Sequence, residues 1–212
     1  DVQSDGSTLV TEETVAQCTS KRSLLYDKKG DGHYDLISAL HKSMRNSDPD
    51  AAVYWLARML EAGGDPLYVA RRVVRFASED VGLANPVALL QAVAAAEALE
   101  KMGMPEARLP LAQAILAVCT SPKSNSAYEA YARALQDIEK GLGRDMPSCL
   151  KNNHFFGVGD KKTPYIYPHE YPNHWVRQQY LPNELVGTRY YTYGDNKLEQ
   201  AAKQYWDMVK GE

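Results

Sequence analysis

This 212-residue sequence has few cysteines and no long hydrophobic run, and both absences narrow the classes of protein to which it can belong. Its three cysteines, Cys18, Cys119 and Cys149, lie far apart and form no C-x-x-C pair. An odd number of scattered thiols fits a reducing compartment better than a disulfide framework. No stretch approaches the roughly 18 consecutive apolar residues of a membrane span, and no signal peptide is visible. We therefore expect a cytoplasmic protein without a membrane partner.

The sequence also lacks a strong excess of charge of either sign. Its net charge is −3, which gives no global attraction to nucleic acid but remains compatible with a local basic patch. Hydrophobic residues make up 44% and charged residues 24%, as in ordinary globular domains. A chain of this length buries a core without a metal or a disulfide. Its first residues, DVQSDGSTLVTEE, are polar and begin without Met, so we expect a piece of a longer protein.

The first 140 or so residues repeat one pattern, in which a capping residue and a proline precede apolar helical periodicity that ends at glycine. It occurs in SDPDAAVYWLARMLEAGG, DPLYVARRVVRFASEDVG and NPVALLQAVAAAEALEKMG. Further helices are predicted in YDLISALHKSMR, LAQAILAVCT and SAYEAYARALQDIEKGLG, with Pro110 delaying or kinking the helix near it. Strand patterns are hard to find here. We predict an all-α fold, an antiparallel array of six or seven helices.

The composition changes after Gly143. Residues 144–196 are rich in Pro, Gly, Asn and Tyr, and eight of the 14 tyrosines follow residue 160. A connection this long is unusual unless it is functional or wraps another surface. Tyrosine supplies apolar area with a polar tip. We therefore predict that this Tyr/Pro-rich segment docks on helices, either of this chain or of a neighbour, and that DNKLEQAAKQYWDMVK forms a terminal helix.

Motifs for nucleotide chemistry are missing from the sequence. The nearest match to a P-loop is GVGDKKT, where Lys161 replaces the second glycine, Pro164 follows and no strand precedes. A Walker B strand and a Rossmann fingerprint are absent, and the five histidines show no nucleophile-elbow context. We predict no catalytic residue, cofactor or metal in this chain.

The stretch HEYPNH, His169 to His174, resembles the H-E-x-x-H of zinc enzymes. Its histidines are five residues apart, which turns them well off one helix face, and Pro172 disfavours a helix. We interpret them as packing residues. A metallohydrolase at His169 and His174 is the competing hypothesis, which elemental analysis would remove if it found no stoichiometric metal.

The arginine row RRVVRFASED is a candidate contact surface. Arg72, Arg75 and Glu79 share a helix face at spacings of three and four residues. An Arg75–Glu79 pair is compatible with an ordinary surface ion pair, and the alternative is a contact face for a subunit, an ATPase domain or DNA phosphates. Lys123, in SPKSN, lies either in a simple turn or at an anion-binding helix N-terminus.

A long block, HYDLISALHKSMRNSDPDAAVYWLARMLEAGGDPLYVARRVVRFASEDVGLANP, closely resembles the region after the ATPase core in the MgsA/RarA family. This family is replication-associated recombination protein A in bacteria and includes Werner helicase-interacting protein in eukaryotes. SPKSNSAYEAY and YPHEYPNHWVRQQYLPNELVGTRYY look like its later signatures, so the resemblance covers about residues 20–195. One departure is CLKNNHFFGVGDKK, where the family often has a more basic stretch.

The resemblance implies three parts: residues 1–25 as the end of an AAA+ lid domain, 26–143 as a helical oligomerisation domain similar to a clamp-loader collar, and 144–212 as the wrapping segment and terminal helix. It implies a homotetramer. The intact protein would be an AAA+ ATP hydrolase that uses ATP and Mg in its missing ATPase domain. It would act in DNA replication, recombination and repair at stalled forks, with single-stranded-DNA-binding protein and DNA junctions as partners, in the cytoplasm and, in bacteria, at the nucleoid.

The sequence leaves two ways in which this chain could make contact. In the oligomerisation hypothesis, apolar helical faces and the Tyr/Pro-rich segment hold subunits together, with the candidate interaction residues Arg71, Arg72, Arg75, Glu79, Lys123, Tyr171, Trp175 and Tyr180. In the alternative hypothesis the chain is a DNA-binding helical module that contacts phosphates through Arg71, Arg72, Arg75 and Lys123.

Overall fold

The structure, a computed structural model, describes residues 11, 12, 15, 31–151 and 164–211, with the backbone alone for 31–33. Within these ranges it contains α-helices, short 3₁₀ and π turns and no β-strand, so the predicted all-α fold is confirmed. No described helix is both long and apolar enough to cross a membrane. The α-helices are α1 (Asp31–Arg45), α2 (Pro49–Glu61), α3 (Pro66–Phe76), α4 (Val87–Met102), α5 (Arg108–Thr120), α6 (Ser126–Glu139) and α7 (Lys197–Lys210).

The chain divides into two compact units. Among the described residues, unit 1 contains residues 31–76 and Leu89–Thr120, and unit 2 contains Ala77–Ala88 and the residues from Ser121 onward. The domain boundaries that the resemblance implies, after residues 25 and 143, stay a prediction.

Unit 1 is built around α5. Helices α1, α2 and α3 each pack against α5, and α1 also packs against α2. Their apolar stripes meet in a close-packed core, which is the main source of stability for helices of this length. The largest fully buried side chains of this core are Leu40, Met44, Met59, Val69, Val73, Phe76, Leu111, Ile115, Val118 and Cys119.

The predicted helix ends follow from local chemistry. At α2, the Asp48 carboxylate accepts a hydrogen bond from the amide N–H of Ala51 at 2.9 Å, and Pro49 occupies the first helical position. Helix α5 begins at Arg108, so Pro110 lies in its first turn, where a missing N–H is tolerated. The first helix differs from the prediction, since α1 begins at Asp31 rather than Tyr34.

The helix predicted to run from Pro66 to Gly82 changes geometry before its end. Its regular part stops at Phe76, and a π turn (Ala77–Val81) and a 3₁₀ turn (Gly82–Ala84) follow in unit 2. The amide N–H of Ser124 donates to the Asp80 carbonyl at 2.8 Å. Gly82 has φ +48°, and a Cβ there would lie 2.8 Å from the Ser124 carbonyl oxygen. Glycine therefore allows residues 121–125 to cross directly over this turn.

The described part of the Tyr/Pro-rich segment contacts α6, a helix of its own chain, and the residues just past it. Its described residues, 144–151 and 164–196, contain short 3₁₀ turns and no α-helix or strand, as its composition predicted. The Tyr190 hydroxyl donates to the Asp137 carboxylate of α6 at 3.0 Å. The amide N–H of Gly143, just past α6, donates to the Glu184 carboxylate at 2.9 Å. Contacts with a neighbouring subunit stay a prediction.

Candidate interaction surfaces

A buried carboxylate organises unit 2. Glu199, in the first turn of α7, is only 2% exposed. Its carboxylate accepts hydrogen bonds from the hydroxyls of Ser126 at 2.6 Å and Tyr191 at 2.8 Å, from the amide N–H of Gly194 at 3.1 Å, and from the Asn196 carboxamide. This cluster therefore joins the start of α6, the Tyr/Pro-rich segment and the start of α7.

The electrostatics of the cluster fix its protonation state. Burial by itself raises the pKa of Glu199, but hydrogen bonds involving Ser124, Ser126, Gly194 and Asn196 outweigh it and lower the pKa to about 2. Burial and the bond to this carboxylate raise the pKa of Tyr191 to about 12. At pH 7 the Glu199 carboxylate stays ionised and the Tyr191 phenol stays neutral. The cluster therefore stabilises the structure of unit 2 and is a poor general acid or base.

Glu199 was not among the residues predicted from the sequence, although a signal for it was present. Asn196 caps α7, and its side-chain oxygen accepts the Glu199 amide N–H at 3.0 Å. Asn-x-x-Glu before a helix is the spacing of a capping box. That spacing predicts a cap but not burial of the carboxylate, which depends on residues about 70 positions away, such as Ser126.

The HEYPNH stretch forms two consecutive 3₁₀ turns, Pro168–Glu170 and Pro172–His174, and no α-helix. Asn173 and His174 have φ of +55° and +52°, and this reversal brings the rings of His169 and His174 to a centroid separation of 4.8 Å. The two rings therefore meet although their spacing is wrong for a helix. The described residues include no group of three or more His, Cys, Asp or Glu that could hold a metal ion.

Two of the predicted aromatic residues line one cleft, which we call the aromatic cleft. It has a volume of about 580 Å³ and is lined by Trp175, Val176, Arg177, Gln178, Tyr180, Tyr193, Trp206 and Lys210. Tyr171, the third predicted aromatic residue, is 42% exposed and does not line it. Trp206 and Lys210 come from α7, and the Lys210 ammonium lies 5.7 Å from the centroid of the Trp206 ring.

The predicted cations lie in different units. Arg71, Arg72 and Arg75 are on α3 in unit 1, and Arg71 lies 3.6 Å from Asp65 in an exposed ion pair. Glu79 lies in the π turn that follows α3, and its pairing with Arg75 stays a prediction. In unit 2, the Lys123 ammonium donates to the Ser121 carbonyl at 2.6 Å, as a residue within a turn does. The roles of these residues in binding stay predictions.

A stripe of exposed apolar side chains runs along α6, and we call it the α6 stripe. Its members are 39–72% exposed and follow one another at steps of three and four residues: Tyr128, Tyr131, Leu135, Ile138 and, just past the helix end, Leu142. Such steps are the heptad spacing of a helix that pairs with another helix. The sequence SAYEAYARALQDIEKGLG predicted this helix, but its periodicity did not distinguish the exposed face from the core face.

Comparison with known proteins settles the family. Residues 46–210 match the family described as MgsA AAA+ ATPase C terminal. The chain belongs to this family. Residues 1–45 match a second family, the AAA C-terminal domain. The predicted resemblance to the MgsA/RarA family is thereby confirmed.

Several curated relatives are similar to this chain over most of its length. The chain is 46% identical to replication-associated recombination protein A of Bacillus subtilis over 97% of its own length and 49% of the relative. It is 42% identical to the Escherichia coli protein of the same name, over 94% of this chain and 45% of that one. It is 40% identical to ATPase WRNIP1 of Dictyostelium discoideum, over 87% and 22% of the two chains. The chain thus spans about half, or less, of the length of these relatives.

Proposed function

We propose that this chain is the oligomerisation module of an AAA+ ATPase that acts in DNA replication, recombination and repair. Its family membership and its relatives named for replication-associated recombination support this. In the intact protein, a separate ATPase domain would bind ATP and Mg. The module would hold four subunits together in the cytoplasm, so that their ATPase domains work jointly at stalled forks and DNA junctions, in contact with single-stranded-DNA-binding protein.

The observation that carries this proposal is the α6 stripe. Five large apolar side chains remain exposed on one helical face, and a monomer gains nothing by leaving such a row in water. Four of the five residues that flank the row at heptad spacing are small, namely Ala127, Ala132, Ala134 and Gly141, and the fifth is Glu139. Small flanking residues let a second helix approach closely.

A second copy of the chain is the partner that fits the α6 stripe. A row with a repeat of three and four matches a row with the same repeat, which is the condition for a symmetric, self-complementary contact. Such a contact joins copies in pairs, and the tetramer would need a second interface between two pairs. Glu139 is the one charged residue among those that flank the row at heptad spacing. Each side chain of the row would count twice in such an interface, because both copies bury it.

Light scattering on the purified chain tests this proposal. We expect the wild-type chain to assemble at micromolar concentration, and Tyr131→Glu with Ile138→Glu to weaken assembly at least about 30-fold, since each charge would enter the centre of the interface. Both side chains are about 70% exposed, at 72% and 68%, so the fold should tolerate the change. The matched control is Leu90→Glu on α4, where Leu90 is 67% exposed.

Three outcomes would contradict the proposal in different ways. A wild-type chain that stays monomeric at high micromolar concentration would refute the oligomerisation module. Assembly that survives the two α6 changes would refute the role of the stripe. Dissociation by Leu90→Glu alone would move the interface to α4 of unit 1.

A further inference from the structure

The aromatic cleft has a composition that selects for a particular class of ligand. Its lining contains four aromatic side chains and two cations, Arg177 and Lys210, and no carboxylate. The chain as a whole carries a net charge of −3, whereas the side chains that line this cleft carry a net positive charge. A cleft of this kind attracts an anion that also carries flat aromatic groups. Its volume of about 580 Å³ lies in the range of small-molecule sites.

Two of the four aromatic rings of the cleft, those of Trp206 and Tyr193, are held in place by contacts outside it. The Tyr205 ring meets Trp206 edge-on, with centroids 5.2 Å apart. The Tyr191 ring meets Tyr193 at 4.8 Å, and the Tyr191 hydroxyl is fixed by the buried Glu199 carboxylate. A ligand that stacks on these rings would therefore find them already ordered, which reduces the entropy lost on binding.

A polar group in the cleft lacks a protein partner. The Oε1 atom of Gln178 accepts the amide N–H of Ile166 at 2.8 Å, which fixes the direction of the carboxamide. The Nε2 atom of Gln178 is buried and has no hydrogen-bond partner within the part of the chain that the structure describes. Buried donors are rarely left unpaired. Because this atom has almost no accessible surface, it belongs to the wall of the cleft, and the choice of ligand rests on the rings and cations of the lining.

A second cleft of about 500 Å³ shares Tyr193, Trp206 and Lys210 with the aromatic cleft. It adds the cations Arg189 and Lys203 and the carboxylates Asp195 and Asp207, and the Lys203 ammonium pairs with Asp207. Two clefts that share two rings and a cation fit a ligand that repeats along a chain better than one compact molecule.

We propose that the aromatic cleft binds an unpaired strand of DNA. Bases stack on Trp175, Tyr180, Tyr193 and Trp206, and Arg177 and Lys210 hold the phosphates. Every base has a flat face, so such a site takes unpaired strands with little regard to sequence. An acidic peptide would satisfy the two cations but would not use four ring faces. The inference does not depend on self-association, because all of the lining residues belong to unit 2.

Tryptophan fluorescence reads this site directly, because two of the three tryptophans in the chain line the cleft. In a Trp55→Phe background, the remaining emission comes from the cleft. Titration with a 12-residue oligo-dT at low salt should quench this emission. Tyr180→Ala should weaken binding about 5- to 150-fold, which is the loss of one base stack. Arg177→Gln with Lys210→Gln should reduce the slope of log affinity against log salt by about 1.4, or about 0.7 for each cation.

The matched control removes two arginines elsewhere, by Arg71→Gln with Arg75→Gln on α3. We expect it to leave the quenching and the salt slope unchanged. If this control abolishes binding while the changes at Arg177 and Lys210 do not, the strand binds at α3 and the proposal is wrong. Helical circular dichroism checks that each variant is folded.

Ligand competition supplies the remaining outcomes. No quenching by oligo-dT at low salt would overturn the proposal. Displacement by free dTMP at the same concentration of nucleotide would show a site for one nucleotide and not for a strand. Quenching by an acidic aromatic peptide in place of oligo-dT would show a peptide site. Light scattering during each titration shows whether self-association changes, and so separates this result from the test of the α6 stripe.

Discussion

Replacement of Glu199 by glutamine should destabilise unit 2 and should also remove a pH dependence. The wild-type carboxylate accepts four hydrogen bonds while almost fully buried. Glutamine keeps the size of the side chain but removes the charge and exchanges one acceptor oxygen for a donor. The new amide would face groups that are themselves donors, such as the Asn196 carboxamide and the Gly194 N–H.

The expected magnitude follows from the pKa of this carboxyl. Folding lowers it from its ordinary value of 4.5 to about 2, a difference of about 2.5 units. At about 1.4 kcal/mol per unit, the ionised carboxylate contributes about 3 kcal/mol to the free energy of unfolding. Because the folded pKa is the lower one, this contribution is complete above about pH 4.5 and is lost as the pH falls toward 2. From pH 5 to 7 it should stay constant.

Urea unfolding tests this in a Trp55→Phe background, in which Trp175 and Trp206 report on unit 2 alone. We expect Glu199→Gln to be less stable by about 3 kcal/mol at pH 6, and the gap to close between pH 4.5 and 2. Glu139→Gln, at an exposed position on α6, is the control and should match the wild type. A gap below 1 kcal/mol at pH 6, or one that is the same at pH 3, would refute the reasoning.

Two further changes probe the turns and caps. Gly82→Ala should lower the free energy of unfolding by about 2 kcal/mol or more, because φ is +48° and the new Cβ would lie 2.8 Å from the Ser124 carbonyl; an unchanged urea midpoint would contradict this close approach. Asp48→Ala should cost about 1 kcal/mol of stability through loss of the α2 cap, whereas Asp48→Asn should restore most of it, both measured by urea unfolding followed by helical circular dichroism. Equal losses in the two Asp48 variants would show that the cap does not act through its side-chain oxygen.

The sequence predicted the helices well where their signals are local. Asp48 with Pro49 places the start of α2 to the residue, because the cap and the fixed φ of proline act within one turn. The irregular course of the Tyr/Pro-rich segment also followed from composition. The predicted start of α1, at Tyr34, was wrong by three residues, since the helix begins at Asp31. Glycine was interpreted as a loop signal, but Gly32 lies inside the first turn of the helix.

The features that the sequence did not predict depend on distant residues. The change to π geometry after Phe76 accompanies the hydrogen bond from Ser124 to Asp80, which are 44 positions apart. Burial of Glu199 needs Ser126, and the aromatic cleft needs Trp175 beside Trp206. Pattern analysis proposed Trp175 and Tyr180 as contact residues but had no means to place α7 next to them. Periodicity finds the faces of a helix and does not say which face remains exposed.

The division of the chain into two interleaved units also bears on how the protein is made and inherited. The chain passes between the units three times, after Phe76, Ala88 and Thr120. On the ribosome, α1 to α3 therefore emerge well before α5, the helix on which they pack, so this core has to wait for synthesis to reach Thr120. For the same reason, neither unit is encoded by one uninterrupted stretch of gene. Recombination between genes could transfer the pair together, but could not transplant either unit as a single cassette.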